Sequence, residues 1–289
     1  MLQPSTRHIR SRSCRAAGIQ PRHAARIQSR RTGELIRSQP LWVIGAPRSG
    51  TTFLAAVLNR HPMITLTSEA RLGVLFKQLI EIDCARPDLL DPDHRSRFQS
   101  FIERRGGALI EEYYRSELGV ATPVWGDKHP PYADPAVLSG RQGARPYLPV
   151  SGSCLSLLRT MLPHSKFIHI RREPAAVARS LVGKRWIGSV SEGVAVWRQY
   201  VREIESFFTE VDPDQTLVIG HSDLIEEPDE TASQIVNFLE IPDPEPIARF
   251  LRAERRAPTP FSGPVSDLRE AYRASHPEVG SPEAASAEE

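Results

Sequence analysis

Residues 41–54 constrain the fold of this chain more than any other stretch. They read Leu-Trp-Val-Ile-Gly-Ala-Pro-Arg-Ser-Gly-Thr-Thr-Phe-Leu. The opening apolar run is typical of a buried parallel strand, and helical spacing resumes after Gly45, Ala46 and Pro47 interrupt it. A strand, a glycine-containing loop and a helix present backbone N–H groups and a helix N-terminus to a phosphate. This stretch therefore predicts an anion-binding loop.

The loop differs from the one that binds nucleoside triphosphates. That motif is Gly-x-x-x-x-Gly-Lys-[Ser/Thr], whereas Thr51 follows Gly50 here. In the nucleoside triphosphate motif, the lysine contacts the phosphates that are split in ATP and GTP. This chain lacks that lysine, and its cation is Arg48, inside the loop. We therefore expect the bound anion to be something other than a nucleoside triphosphate. A P-loop kinase that acts on a small molecule is the alternative interpretation.

A second strand-to-helix junction lies at residues 166–180. Arg172 follows its apolar run, Pro174 suits the first turn of a helix, and Ser180 lies about two turns further along. The guanidinium group offers a planar fork of donors that matches phosphate, and the serine hydroxyl adds a neutral donor. The chain thus has two candidate phosphate-binding elements.

Together the two motifs resemble those of sulfotransferases that use 3′-phosphoadenosine 5′-phosphosulfate (PAPS). Residues 47–52 look like their 5′-phosphosulfate loop, and the spacing of Arg172 and Ser180 matches the pair that holds the 3′-phosphate. The resemblance implies transfer of a sulfuryl group from PAPS to a hydroxyl or amine acceptor. It also implies a donor site made of Arg48, Ser49, Gly50, Thr51, Thr52, Phe53, Arg172 and Ser180. A non-catalytic nucleotide-binding relative is a further interpretation.

Two of these assignments have competing explanations. Phe53 stands where cytosolic members have a tryptophan that packs on adenine, and a core-facing aromatic would explain it equally well. Cytosolic members also close the 3′-phosphate site with a C-terminal Arg-Lys-Gly loop, which this chain lacks. Arg252, Arg255 or Arg256 are the candidates to replace it.

The catalytic candidates come from resemblance to the tyrosylprotein sulfotransferases and their bacterial relatives. Their catalytic glutamate lies at the same distance from the loop arginine as Glu69 does from Arg48, and Arg71 matches a following arginine. Lys128, in Asp-Lys-His-Pro, resembles the lysine that reaches the leaving oxygen or the sulfonate. Glu69 would then be the base and Lys128 and Arg48 the cations, with His129 as a competing base.

Each catalytic candidate also has a purely structural explanation. Glu69 could simply favour the start of a helix electrostatically, and Lys128 could be a solvated surface lysine. No acidic pair has metal-ligand spacing, and the leaving group is a phosphate, so we expect no metal.

Strand-like and helix-like segments alternate along the chain. Strands are predicted near 41–45, 64–66, 124–126, 167–170 and 217–220, and helices over 51–59, 71–82, 95–116, 154–161, 188–208 and 228–239, with another from Pro174. The alternation favours an α/β, P-loop-like three-layer fold with helices on both faces of a central parallel sheet. We expect a basic, disordered extension (1–40), a sulfotransferase domain (41–275) and a disordered tail (276–289).

Charge separates the N-terminus from the rest of the chain. Residues 1–40 hold nine arginines and one acid, Glu34, so they carry +8, and residues 41–289 carry −6 of the net +2. An acidic body argues against a nucleic-acid partner. The basic composition of residues 1–40 has three possible explanations: a disordered arm, a transit-like segment, or a start codon assigned too far upstream.

Cysteine usage and hydropathy bear on the compartment. Cys14, Cys84 and Cys154 form no Cys-x-x-Cys pair, as expected in a reducing compartment. No apolar run approaches the ~20 residues that span a bilayer, and the N-terminus lacks the apolar core of a secretory signal. We expect a cytoplasmic enzyme without a transmembrane segment. Its acceptor is a small molecule, lipid, glycan or peptide.

Overall fold

Seven strands are found in the computed structural model, which describes residues 38–83, 92–139 and 150–256 and two dipeptide strands before them. They are β1 (Ile27–Gln28), β2 (Leu35–Ile36), β3 (Gln39–Ile44), β4 (Ile64–Ser68), β5 (Val124–Lys128), β6 (Lys166–Arg171) and β7 (Thr216–Gly220). β1 and β2 form an antiparallel pair, and the other five form one parallel sheet in the order β4-β5-β3-β6-β7.

Helices follow most strands of the parallel sheet. They are α1 (Thr51–Leu58), α2 (Leu72–Asp83), α3 (Pro92–Glu112), α4 (Leu155–Met161), α5 (Pro174–Gly183), α6 (Val190–Phe208), α7 (Asp223–Glu226), α8 (Pro228–Leu239) and α9 (Glu245–Arg256). A π-helical turn (Tyr113–Glu117) extends α3, and 3-10 turns lie at Pro130–Ala133 and Pro213–Gln215.

The helices cover both faces of the sheet. Because side chains alternate along a strand, Trp42 and Ile44 of β3 pack into one core with α2 to α6. Leu41 and Val43 pack into a second core with α1 and α7 to α9. The predicted α/β, P-loop-like three-layer fold is confirmed. Among the described residues, no helix combines the length and the apolar character needed to cross a membrane.

The structure departs from the predicted elements at the β1–β2 pair, which lies in the stretch expected to be a disordered extension, and at β5, α7 and α9. β5 continues through Asp127 and Lys128, whereas the prediction ended this strand at Gly126, because these polar residues still pair with β3 and β4. α7 and α9 were not predicted. α9 is rich in charged residues. It packs against the second core through a small number of buried apolar side chains, such as Ile247 and Leu251.

Parts of the predicted organisation lie outside the described residues. They include most of the N-terminal extension, residues 140–149 of the predicted irregular loop, and the tail at 276–289. The domain boundaries at 40 and 275 therefore remain predictions.

His169 lies buried in β6, edge-on to the Phe208 ring, and neither of its ring nitrogens has a hydrogen-bond partner among the described residues. Burial, and to a smaller extent the Arg171 charge, lowers the pKa of His169 to about 3. The unfolded chain takes up this proton near the ordinary pKa of about 6.5. Acidification therefore favours the unfolded state, and the stability contributed by the neutral ring is lost as the pH falls below that value.

We predict that lowering the pH from 7 to 5 reduces the free energy of unfolding by about 2 kcal/mol, because His169 takes up a proton in the unfolded chain but not in the folded one. His169→Phe should abolish this part of the pH dependence, as measured by urea unfolding at both pH values. A difference between variant and wild type that stays constant with pH would contradict the assignment.

Candidate active site

The predicted anion-binding loop connects β3 to α1 at the carboxyl edge of the sheet. Gly50 has a φ of 103°, and a Cβ atom there would lie 2.5 Å from Cδ2 of His221. Ser49 turns inward, and its hydroxyl donates to the carbonyl oxygen of Ala46 at 2.5 Å. Arg48 adopts a left-handed φ of 71° and has an exposed side chain. The loop thus directs its cation outward and places the N-terminus of α1 behind it.

Arg172 and Ser180 lie against this loop. Arg172 follows β6 directly, and Glu173 caps α5 by accepting hydrogen bonds from the Ala175 and Ala176 N–H groups at 3.0 and 2.6 Å. Arg48 Nε donates to Ser180 Oγ at 3.0 Å, and Arg172 donates to the carbonyl oxygen of Arg48 at 3.4 Å. The structure therefore brings together the predicted 5′- and 3′-phosphate residues.

His221 completes this edge, although the sequence analysis did not select it. It follows β7, and its N–H donates to the carbonyl oxygen of Arg171 at 2.7 Å. Its ring lies 6.3 Å from the Phe53 ring, and Phe53 in turn packs 6.4 Å from Phe250 of α9. Burial, followed by the Arg172 charge, lowers the pKa of His221. The sequence pattern could have identified His221, because it directly follows a parallel strand just as Arg172 does.

Glu69 and Lys128 form an ion pair further along the same edge. Lys128 Nζ lies 3.2 Å from Glu69 Oε1, and the Glu69 N–H donates to the Lys128 carbonyl oxygen at 3.0 Å. The Lys128 side chain is 1% exposed and that of Glu69 is 35% exposed. Lys128 is therefore not a solvated surface lysine. Because its buried ammonium is held against a half-exposed carboxylate, the pair presents the carboxylate to solvent.

The backbone around Glu69 is unusual. Glu69 and Arg71 have left-handed φ values of 67° and 64°, which cost energy in residues other than glycine. The Ala70 N–H between them donates to Oδ2 of Asp127 at 3.1 Å. Asp127 is fully buried, so this hydrogen bond fixes the turn from beneath.

Asp127 accepts two further hydrogen bonds. Tyr132 OH donates to its Oδ2 at 2.7 Å and Thr67 Oγ1 to its Oδ1 at 2.9 Å, while the Tyr114 hydroxyl contacts Thr67 at 2.6 Å. Burial raises the pKa of Asp127, and the bonds from Tyr132, Thr67 and Ala70 oppose that rise. Burial also raises the pKa of Tyr132 and Tyr114 well above the usual value, so both hydroxyls remain donors. The sequence analysis treated Asp127 only as a neighbour of Lys128.

His129 is enclosed differently from Glu69. It is buried, it lies edge-on to the Tyr132 ring at 4.9 Å, and both ring nitrogens lack hydrogen-bond partners among the described residues. Burial, with smaller contributions from Lys128 and Arg71, lowers the pKa of His129 to about 2. Its imidazole is therefore a weak base that stays neutral near pH 7.

The candidates thus fall into two groups. Arg48, Arg172 and Ser180 form one, and Glu69 and Lys128 form the other. Within the described part of the chain, no direct hydrogen bond or ion pair joins the two groups. The described residues also contain no cluster of three His, Cys, Asp or Glu side chains that could hold a metal.

Comparison with known proteins decides the family. A sequence profile of the sulfotransferase family matches residues 40–245, which is more than half of the chain. The chain belongs to the sulfotransferase family. It is 25% identical over 213 residues to a putative protein-tyrosine sulfotransferase of Caenorhabditis briggsae, covering 70% of this chain and 66% of that protein.

Other relatives agree with this membership. A protein-tyrosine sulfotransferase of Drosophila melanogaster is 22% identical over 213 residues, which cover 71% of this chain and 39% of that protein. The chain thus spans just under two thirds of the first of these relatives and well under half of the second. The sulfotransferase domain of the Synechococcus PCC 7002 olefin synthase has the same fold, with a TM-score of 0.52, 18% identity, and coverage of 81% of this chain and 83% of that domain.

The arginines considered for closing the nucleotide site make other contacts in this sulfotransferase-family chain. Arg252 pairs with Asp229 and, at 2.6 Å, with Glu245, and Arg255 donates to the carbonyl oxygen of Glu226 at 3.2 Å. These contacts lie among α7, α8 and α9, and none involves Arg48, Arg172 or Ser180. The Arg256 side chain lies outside the described residues.

We predict that Asp127→Ala lowers the free energy of unfolding by about 3 kcal/mol, because the buried Tyr132 hydroxyl and the Ala70 N–H lose their acceptor. Asp127→Asn should recover most of this loss. Its carbonyl can accept from Ala70 and Tyr132, while its amide donates to Thr67, which then donates to the Gly126 carbonyl oxygen 3.0 Å away. Urea unfolding measures the stability, and hydrogen exchange at the Ala70 amide reports the turn. Equal protection of that amide in wild type and Asp127→Ala would contradict the role of Asp127.

Proposed function

We propose that this protein moves a sulfuryl group from PAPS to a hydroxyl or amine acceptor. The observation that carries the proposal is the convergence of Arg48, Arg172 and Ser180 at the sheet edge where the Glu69–Lys128 pair also lies. Membership of the sulfotransferase family supports it. The acceptor belongs to a small molecule, lipid, glycan or peptide.

The donor is proposed to bind through its two phosphate ends. Arg48, Ser49, Gly50, Thr51 and Thr52 would hold the 5′-phosphosulfate, where loop N–H groups and the α1 dipole favour an anion. Arg172 and Ser180 would hold the 3′-phosphate. The Arg48–Ser180 contact supports this arrangement, because the two proposed phosphate subsites would then lie side by side. Phe53 is proposed to lie near the adenine, beside His221.

The transfer step is a displacement at sulfur. The acceptor oxygen or nitrogen attacks, its bond to sulfur forms, and the bond from sulfur to the 5′-phosphate oxygen breaks. The acceptor proton passes to the Glu69 carboxylate, which is the exposed member of its pair. Lys128 and Arg48 stabilise the negative charge on the sulfonate and on the leaving phosphate. The products are the sulfated acceptor and 3′-phosphoadenosine 5′-phosphate (PAP).

The structure favours Glu69 over His129 as the base. His129 is enclosed, and a pKa of about 2 leaves its imidazole little tendency to take a proton. Glu69 is in contact with both solvent and the lysine that would face the leaving group. The kinase alternative is not favoured, because Thr51 replaces the lysine that such an enzyme needs and the family profile is that of sulfotransferases.

Donor binding is predicted to depend on both arginines. Arg48→Ala and Arg172→Ala should each weaken PAP binding by about tenfold or more, since each loses a charge-assisted contact to phosphate. Calorimetric titration measures the affinity, with ATP–Mg²⁺ as the competing ligand. Arg198→Ala, an exposed arginine on α6, is the control. Tighter binding of ATP–Mg²⁺ than of PAP would overturn the donor assignment.

Substitution of Glu69 is predicted to slow turnover without weakening donor binding. Glu69→Gln should keep the PAP affinity within about twofold but slow donor consumption by about 100-fold or more, the usual range for losing a general base. PAP release from PAPS, followed chromatographically over a panel of hydroxyl and amine acceptors, gives the rate. Glu205→Gln is the matched control, because Glu205 also pairs with a cation, Arg171, at 3.3 Å. A near-normal rate in Glu69→Gln would sink the base assignment.

A further inference from the structure

Exposed apolar side chains are concentrated on one part of the surface. Among the described residues, six of the eight large exposed hydrophobic side chains belong to α2, α3 and the π-helical turn that follows α3. They are Leu75, Leu79, Ile82, Phe101, Leu109 and Tyr113. The other two are Val190 and Val218. Ile82 is 69% exposed, which is a large fraction for an aliphatic side chain. Exposed apolar side chains that are concentrated in this way often mark an interaction site, whereas scattered ones do not.

Both helices rest on α4 and turn their opposite sides outward. A Cβ atom at Gly73 would lie 2.8 Å from Leu158, and one at Gly107 would overlap the backbone of Met161, so these glycines mark the sides that approach α4. At 3.6 residues per turn, Leu75, Leu79 and Ile82 lie about 180–240° from Gly73. Their stripe therefore points away from α4.

The side of α3 that is turned away from α4 carries exposed arginines, together with one exposed acid, Glu112. Gly106 and Gly107 both abut Met161, and Phe101 and Arg105 lie on the opposite side of α3 from them. Arg104 lies at the edge of that side, roughly 160° from Gly106 and 60° from Gly107. Both arginines are exposed, and neither pairs with an acid in the ranges that the structure describes. We name the combined surface the α2–α3 face and define it by Leu75, Leu79, Ile82, Phe101, Arg104 and Arg105.

We propose that the α2–α3 face docks on an anionic membrane surface. Aliphatic side chains on successive helical turns suit insertion at the boundary between headgroups and acyl chains, and adjacent arginines can extend to lipid phosphates. The strength of such binding grows with the apolar area that is buried and with electrostatic attraction to anionic lipids. The face supplies both, and the nine arginines of residues 1–40 add charge of the same sign.

α2 begins three residues after Glu69, so the docking helix would be joined directly to the turn that holds the candidate base. The proposal concerns the surface alone and does not depend on the transfer chemistry. It can therefore be tested whether or not an acceptor is known.

The experiment is co-sedimentation of the full chain with phosphatidylcholine vesicles, with and without phosphatidylglycerol. We expect binding that requires phosphatidylglycerol and weakens with salt. The double variants Leu79→Glu/Ile82→Glu and Arg104→Glu/Arg105→Glu should each lower the partition coefficient by about tenfold or more. Val190→Glu is the control, because Val190 on α6 is 43% exposed, close to the 44% of Leu75. Unchanged circular dichroism and PAP binding show that each variant is folded.

Several results would overturn the proposal. One is a wild-type chain that ignores phosphatidylglycerol vesicles, and another is equal loss in the Val190→Glu control. Undiminished vesicle binding by both double variants would assign the binding to the basic N-terminus instead. A dimer that light scattering detects and the same variants abolish, without vesicle binding, would make the face a contact between two copies. Binding to polyglutamate without vesicle binding would indicate an acidic protein partner.

Discussion

β3 is hydrogen-bonded on both sides, to β5 and to β6, and it is buried along its length. Because all three strands are parallel, their carboxyl ends lie along one edge of the sheet. Lys128 ends β5, Arg48 lies in the loop after β3, and Arg172 follows β6. Three cationic side chains that are far apart in sequence therefore meet at one edge. The register of two strand pairs builds the candidate site, and no long loop is required to assemble it.

The same edge carries an energetic cost that the surrounding structure offsets. A buried carboxylate and a buried ammonium at adjacent positions, Asp127 and Lys128, are both expensive to remove from water. Asp127 is satisfied by three donors, and Lys128 by Glu69. The two networks meet in the Glu69–Arg71 turn, where Asp127 holds the backbone and Lys128 holds the glutamate side chain. The strained φ values persist there because both ends of the turn are fixed.

The sequence predicted most of the sheet and both phosphate-binding motifs, because each depends on local spacing that follows from helix and strand geometry. The structure brings Arg48, Arg172 and Ser180 into contact, and their phosphate-binding roles remain predictions. The burial of Lys128 was not predicted, since polar residues at a strand end look alike whether they face solvent or a partner on another strand. The hydrogen-bonding role of Asp127 was not predicted either. Its three donors come from positions 67, 70 and 132, and the local sequence does not show that they converge. α9 was missed because its charged composition conceals a narrow apolar side.

The cationic edge also explains how an acidic body would attract the anionic donor that we propose. Residues 41–289 carry a net charge of −6, so attraction for an anionic donor must arise locally. Arg48 and Arg172 lie in contact, and within the described residues neither forms a salt bridge. The Arg172 guanidinium donates to the backbone carbonyl oxygen of Arg48, and the Arg48 guanidinium donates to Ser180, so both charges remain without a carboxylate partner there. Burial, followed by the Arg172 charge, lowers the pKa of the neighbouring His221. The two phosphates of the proposed donor would each meet an arginine whose charge no acid among the described residues neutralises.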